Sequence, residues 1–163
     1  MPMNYDVFSR IEDGTLCKDP SEAEQAYMEC VLGTVFAPCD DNAATINDKL
    51  NPRFLQCSAE EKSLSAEFTV EDWMRNPSGN LHGGLLGTAV DIVVGVLARY
   101  YKQTRKMVTV NLSVNYLNAV PADDKFRVRA VVDRIGRRTV FARAEVYVVE
   151  SGKLAATASV VFM

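Results

Sequence analysis

The sixteen residues from Gly83 to Ala98 hold one charge, Asp91, inside a run made almost wholly of Leu, Val, Ile, Ala and Gly. A helix that is apolar nearly all round cannot lie on a surface; other elements must enclose it. Its longest apolar stretch, Leu85 to Ala98, is shorter than the roughly 20 residues a bilayer span requires, and it carries a carboxylate. The enclosure is therefore expected from the protein itself, in a soluble chain with no membrane partner.

The flanking segments say what encloses it. Upstream, Phe54–Ala59 and Leu64–Val70 read as short strands around the polar turn Glu60–Glu61–Lys62. Downstream, in Met107–Leu117, Val108, Val110, Leu112, Val114 and Tyr116 alternate with Thr109, Asn111, Ser113 and Asn115. This period of two predicts a half-buried strand with Thr109 on its polar face. Lys125–Asp133 alternates through Phe126, Val128, Ala130 and Val132, and Thr139–Val149 and Lys153–Phe162 are two more β-rich runs, with turns at Gly136 and Ser151–Gly152. Strand, strand, helix and four strands, joined by hairpin-length connections, imply an α+β fold: one long helix against a largely antiparallel sheet of five to six strands. A chain of 163 residues can bury one such core without staples.

Residues 1–52 read as a helical extension and connector, and 53–163 as the main domain. Ser21 and Glu24 have capping-box spacing behind Pro20, Gly33 is placed to end the helix, and Ala23, Ala26, Tyr27, Cys30 and Val31 recur at helical steps. The Asp- and Asn-rich segment from Pro38 to Pro52 reads as a connector. A net charge of −3 disfavours nucleic acid as a partner, since phosphate contacts need a basic field. Cys17, Cys30, Cys39 and Cys57 form no CxxC pair, and one histidine leaves no familiar zinc spacing. Residues 1–13 lack the apolar core of a secretory signal, so free thiols in a cytoplasmic protein are expected.

Chemistry concentrates between Asn76 and Asp91. A carboxylate on a buried helix faces a desolvation cost unless it is hydrogen-bonded or meets solvent. Asp91 is then either a loop anchor or ion-pair partner, or a working acid or base. Gly83 and Gly84 stand where the helix begins; unpaired amides of a first turn can bind an oxyanion, or the glycines simply allow close packing. His82, the only histidine, either fixes the helix start or serves in acid–base work. No serine or cysteine sits on a GxSxG turn.

Asn76, Leu81-His82-Gly83-Gly84 and Asp91, on a strand–helix–strand background, resemble the signature of hot-dog-fold acyl-CoA thioesterases of the phenylacetate-degradation (PaaI-type) family. The resemblance runs from about Arg53 to Met163 and includes the turn Gly136-Arg137-Arg138. It implies that Asp91 is the general base or nucleophile and that the Gly83 N–H polarises the thioester carbonyl. By the same resemblance Asn76 assists at the carbonyl or water, Thr109 orients the attacking water, His82 is mainly orienting and Gly84 lies at the substrate. It also implies homodimers, often paired into homotetramers, with active sites at the interface.

One geometric argument agrees. At 1.5 Å per residue, Gly83 and Asp91 lie about 12 Å apart along the helix axis, too far for both to touch one thioester carbonyl. If both serve one reaction, Asp91 comes from a second chain related by a two-fold axis. No cofactor is called for, because a thiolate leaves readily and coenzyme A belongs to the substrate. Arg137 and Arg138, with Arg134, either hold CoA phosphates or form an ordinary solvated turn, and Lys102 and Arg105 are the other basic pair. Leu55, Phe68 and Trp73 are expected near the acyl pocket. Two other readings stand beside hydrolysis: a hot-dog hydratase or dehydratase, and a non-catalytic acyl-CoA-binding module.

Overall fold

The computed structural model describes residues 3–19, 21–37 and 45–163. Pro20, Cys39 and the part of the connector from 38 to 44 lie outside the described residues. The elements run α1 (Asp6–Glu12), α2 (Glu24–Val35), α3 (Ile46–Leu50), β1 (Arg53–Ser58), β2 (Ser63–Thr69), α4 (Gly83–Lys102), β3 (Thr109–Tyr116), β4 (Lys125–Ile135), β5 (Val140–Val148) and β6 (Leu154–Phe162), with a single 3-10 turn at Asp72–Met74. The six strands form one antiparallel sheet in the order β1-β2-β4-β5-β6-β3. The sheet wraps α4, the long helix against an antiparallel sheet that the sequence pattern predicts.

Alternation explains the inner layer. Phe126, Val128, Ala130 and Val132 of β4, and Val140, Ala142, Ala144, Val146 and Val148 of β5, are all buried. Phe68 of β2 lies opposite Phe126 and stacks on it at 5.0 Å, an aromatic pair at the heart of the core. Phe68 therefore belongs to the core and not to an acyl pocket. Facing the strands, α4 buries Leu86, Ala89, Val90, Val93, Val94 and Leu97. At 20 residues α4 is long and apolar enough to cross a bilayer, more than its apolar stretch alone suggests, yet 67% of that window is buried inside the fold. Its apolarity is met by the sheet.

The N-terminal helices extend the same core. Tyr27, Met28, Val31, Leu32 and Val35 form the buried stripe of α2, whereas Ala26 and Cys30 are exposed, so the stripe is rotated from the expected one. No Ser21–Glu24 capping box forms. Ser21 hydrogen-bonds Asp19, Ala23 is the N-cap, and Glu24 Oε1 instead accepts from the Tyr100 hydroxyl at 2.9 Å. Gly33 lies within α2, which continues to Val35. The capping box belongs to α3, where Thr45 and Asp48 satisfy each other's backbone N–H.

The sheet's two edges are treated differently. Beside β1, the Gln25 side chain donates to Cys57 O (2.9 Å) and accepts from Ala59 N (2.8 Å), filling the place of a neighbouring strand. Beside β3 no further strand lies among the described residues. The exposed apolar side chains Val108, Val110, Tyr116 and Leu117, at 53 to 62% accessibility, gather along this strand.

The β3 alternation breaks once. Thr109 pairs with Phe162 and Asn111 with Val161, so Val110 is an extra residue in a β-bulge. The bulge shifts the phase. Thr109 joins Leu112, Val114 and Tyr116 on the helix side, and Val110 turns to solvent; Thr109 is not on the polar face.

On the opposite sheet face, the buried Glu67 carboxylate meets Arg53 (2.8 Å), Arg127 (3.0 Å) and Lys125 (3.5 Å). Arg53 first, with Arg127 and Lys125, outweighs burial and holds this carboxyl down at about 2. A depressed carboxyl stabilises the fold above its unfolded value near 4.5, and that contribution is lost as pH falls toward 2. The urea midpoint is expected to fall over this window, and less steeply in Glu67→Gln. Parallel pH profiles for the two proteins would contradict the ion cluster's role.

Candidate active site

Asp91 is half-buried on α4, and its environment is open. Thr109 Oγ1 donates to Asp91 Oδ1 at 2.7 Å, and both line a cavity of about 530 Å³ with Gly84, Gly87, Thr88 and Leu112. The hydroxyl takes up one carboxylate oxygen. No protein donor reaches Oδ2 among the described residues. Asp91 is thus not a buried carboxylate locked to a loop; one hydroxyl holds it, and it reaches solvent.

The helix start is built by its neighbours. His82 is the N-cap of α4, and its Nδ1 accepts from Gly84 N–H at 3.0 Å, which fixes Nδ1 as the unprotonated nitrogen. The Gly83 N–H is the first amide of the helix and lies outside the intrahelical ladder. The glycines make room for side chains: a Cβ on Gly83 would sit 3.3 Å from the Tyr116 ring, and one on Gly84 3.3 Å from His82 Nδ1. Asn76 Oδ1 accepts from Ser78 N–H (2.9 Å) and Asn80 N–H (3.1 Å), holding the loop before α4 and leaving its amide NH2 free of these bonds. Asn76 and Gly83 line a second cavity, about 390 Å³, with Asn80, Leu81 and Tyr116.

The expected site residues thus fall into three groups in one chain. Asp91, Thr109 and Gly84 share one cavity, Gly83 and Asn76 another, and His82 braces the helix between them. Arg137 and Arg138 line a third cavity of about 670 Å³, with Arg134 and Phe141 at the β4–β5 turn. Lys102 Nζ donates to Gly136 O (3.2 Å) and Arg137 O (2.9 Å), so it supports this turn and does not form a separate basic pair with Arg105. Leu55, Phe68 and Trp73 border none of the three cavities.

Tyr116, which no motif in the sequence singles out, lines both of the first two cavities. It ends the alternating β3 run and read as a core position, yet it is 56% exposed.

Residues 78–155 match the model of the thioesterase superfamily. PA0474 of Pseudomonas aeruginosa, which bears an esterase name, is 32% identical over 116 residues, 71% of this chain and 84% of that protein. The chain belongs to the thioesterase superfamily. Mouse acyl-coenzyme A thioesterase 13 is 26% identical over 67% of this chain and 78% of its own length. Among solved structures, the phenylacetic acid degradation-related protein of Ralstonia eutropha JMP134 superposes with a TM-score of 0.66 at 27% identity, covering 84% of the chain and 98% of its own. The hot-dog fold and the family expected from the His82-Gly83-Gly84…Asp91 signature are both borne out.

For a thioesterase, the Thr109 hydroxyl tests the Asp91 geometry. Thr109→Ser keeps the donor and is expected to retain turnover, whereas Thr109→Val, of the same shape, is expected to lose about 10-fold, as for one lost hydrogen bond at a charged group. Equal turnover of the two variants on any thioester substrate would show that the bond is idle.

Proposed function

We propose that the protein hydrolyses acyl-CoA thioesters to a free acid and coenzyme A, at two sites shared across a homodimer. The observation that carries this reading is the separation of parts within one chain. Asp91 with Thr109 opens into one cavity and the Gly83 amide into another, about 12 Å along the helix axis. A two-fold axis beside β3 resolves the separation. The edge of β3 is unpaired and apolar, and two copies meeting there add strand to strand and set their α4 helices side by side and antiparallel. The start of one helix then faces the middle of the other.

In this arrangement the Gly83 N–H, aided by the helix dipole, stabilises the charge that develops on the thioester oxygen. Asp91 of the partner, steadied by Thr109, uses its free Oδ2 to deprotonate a water, or attacks the carbonyl itself. The carbonyl carbon gains an oxygen, the C–S bond breaks, and CoA leaves as a thiolate that takes up a proton; if Asp91 attacked directly, a water then hydrolyses the anhydride, releasing the acid and restoring the carboxylate. The Asn76 amide NH2 supplies a further donor at the carbonyl or water, and Gly84 flanks the acyl group. His82, with Nδ1 committed to the helix cap, orients the start of α4. This commitment favours hydrolysis over hydratase chemistry, which calls for a histidine working with a carboxylate.

The acyl-CoA class is supported by the mouse relative's name and by the arginine turn. Phe162 pairs with Thr109 on one side and Val140 on the other, so the β4–β5 turn lies two strands from Thr109. Lys102 holds that turn, leaving the Arg137 and Arg138 guanidinium groups to meet CoA phosphates. No cofactor enters the scheme.

Thiol release from a panel of acyl-CoAs is the test. Activity is expected on at least one member and to be abolished in Asp91→Ala, with the mass in solution at least twice that of the chain. The double variant Arg137→Ala/Arg138→Ala is expected to raise KM for that acyl-CoA about 10-fold while leaving a phosphate-free pantetheine thioester unaffected. Full turnover in Asp91→Ala, or a monomeric active protein, would refute the reading.

A further inference from the structure

The peptide unit joining Gly83 to Gly84 is gripped at both ends. Its carbonyl oxygen accepts from the Tyr116 hydroxyl at 2.8 Å, and its N–H donates to His82 Nδ1 at 3.0 Å. The two grips come from different elements, one from the end of β3 and one from the residue before the helix. Both need glycine beside them, because a Cβ at Gly83 would press on Cε1 and Cζ of Tyr116 at 3.3 Å, and a Cβ at Gly84 on the histidine nitrogen at the same distance. The Tyr116 hydroxyl also lies 3.7 Å from where a Gly87 Cβ would be, so the ring runs along a glycine-lined groove one turn long.

This arrangement has a cost that calls for a return. Two successive glycines are the least constrained residues a helix start can have, and a donor on so loose a backbone must be reoriented each time charge develops on its acceptor. Tyr116 is more than half exposed, so its hydroxyl gives up hydrogen bonds to water in order to bind a backbone carbonyl. With both ends of the 83–84 peptide held, ψ of Gly83 and φ of Gly84 are restrained, and the freedom of the adjoining Gly83 N–H is narrowed with them.

We infer that Tyr116 is a positioning residue which, with His82, locks the Gly83–Gly84 peptide so that the Gly83 N–H stays aimed at the thioester oxygen. This rests on the role given to Gly83 under the proposed function. The Tyr116 ring also walls off the Gly83 cavity from the Asp91 cavity, so the ring and the hydroxyl are separable in effect. The hydroxyl governs the rate, and the ring governs the shape of the site.

The experiment compares Tyr116→Phe, Tyr116→Ala, His82→Ala and Asp91→Ala on the acyl-CoA that the parent hydrolyses fastest. Tyr116→Phe keeps the wall and loses the grip, so kcat is expected to fall about 10-fold with KM within about 2-fold, and the Gly83 carbonyl ¹³C resonance to move upfield. Tyr116→Ala also joins the two cavities and is expected to change KM. Because His82 acts on the same peptide, the losses in Tyr116→Phe/His82→Ala are expected to be less than multiplicative. A Tyr116→Phe enzyme with kcat within about 2-fold of the parent, or multiplicative losses in the double variant, overturns the lock while an inactive Asp91→Ala leaves the hydrolase reading standing. Full turnover in Asp91→Ala removes both.

Discussion

The Thr109 to Asp91 hydrogen bond at 2.7 Å joins the central helix to the free edge of the sheet, and the geometry of the site follows from it. Asp91 sits on a helix otherwise built for burial, and its charge is tolerated because it lies at the margin of the wrapped surface, beside β3. Thr109 reaches it only because Val110 is an extra residue in that strand. Without the bulge, simple alternation would aim a valine at the carboxylate and a hydroxyl at solvent. A local irregularity thus supplies the one donor that a carboxylate in this position needs.

Much of this was legible in the residues, and the exceptions have physical causes. The apolar run around Asp91 and the alternation through β4, β5 and β6 lead directly to a helix wrapped by an antiparallel sheet. The bulge was not readable, because Val110 and its neighbours fit an unbroken period of two as written, and only the register against β6 reveals the slip. In α2 the face was misjudged because Ala26 and Cys30 have the same spacing as the residues actually buried, and packing against α4 and β1 selected the bulkier Met28, Leu32 and Val35. Phe68 was mistaken for a pocket residue since nothing in the sequence shows that it stacks on Phe126.

The glycines illustrate the same point. Read as sequence, Gly83-Gly84 offers a ligand a close approach to backbone. In the structure the space beside each glycine is taken by a ring, Tyr116 for Gly83 and His82 for Gly84. The two sheet edges are also distinct for a reason. Gln25 closes one by copying strand hydrogen bonds, and beside the other, which carries exposed apolar side chains, no strand lies among the described residues.

The central claim is that the carboxylate of one chain works with the helix start of another. Mixing subunits tests it most directly: Asp91→Ala chains and Gly83→Pro chains, the second lacking the amide N–H at the first helical position and each expected to be inactive alone, are unfolded together and refolded as a mixture. Half of the dimers then pair unlike chains, and each of those contains one site with both groups intact and one with neither. The account predicts that the mixture recovers about one quarter of the activity of an equal amount of parent protein. A mixture as inactive as its components, with mixed dimers demonstrably formed, would contradict it.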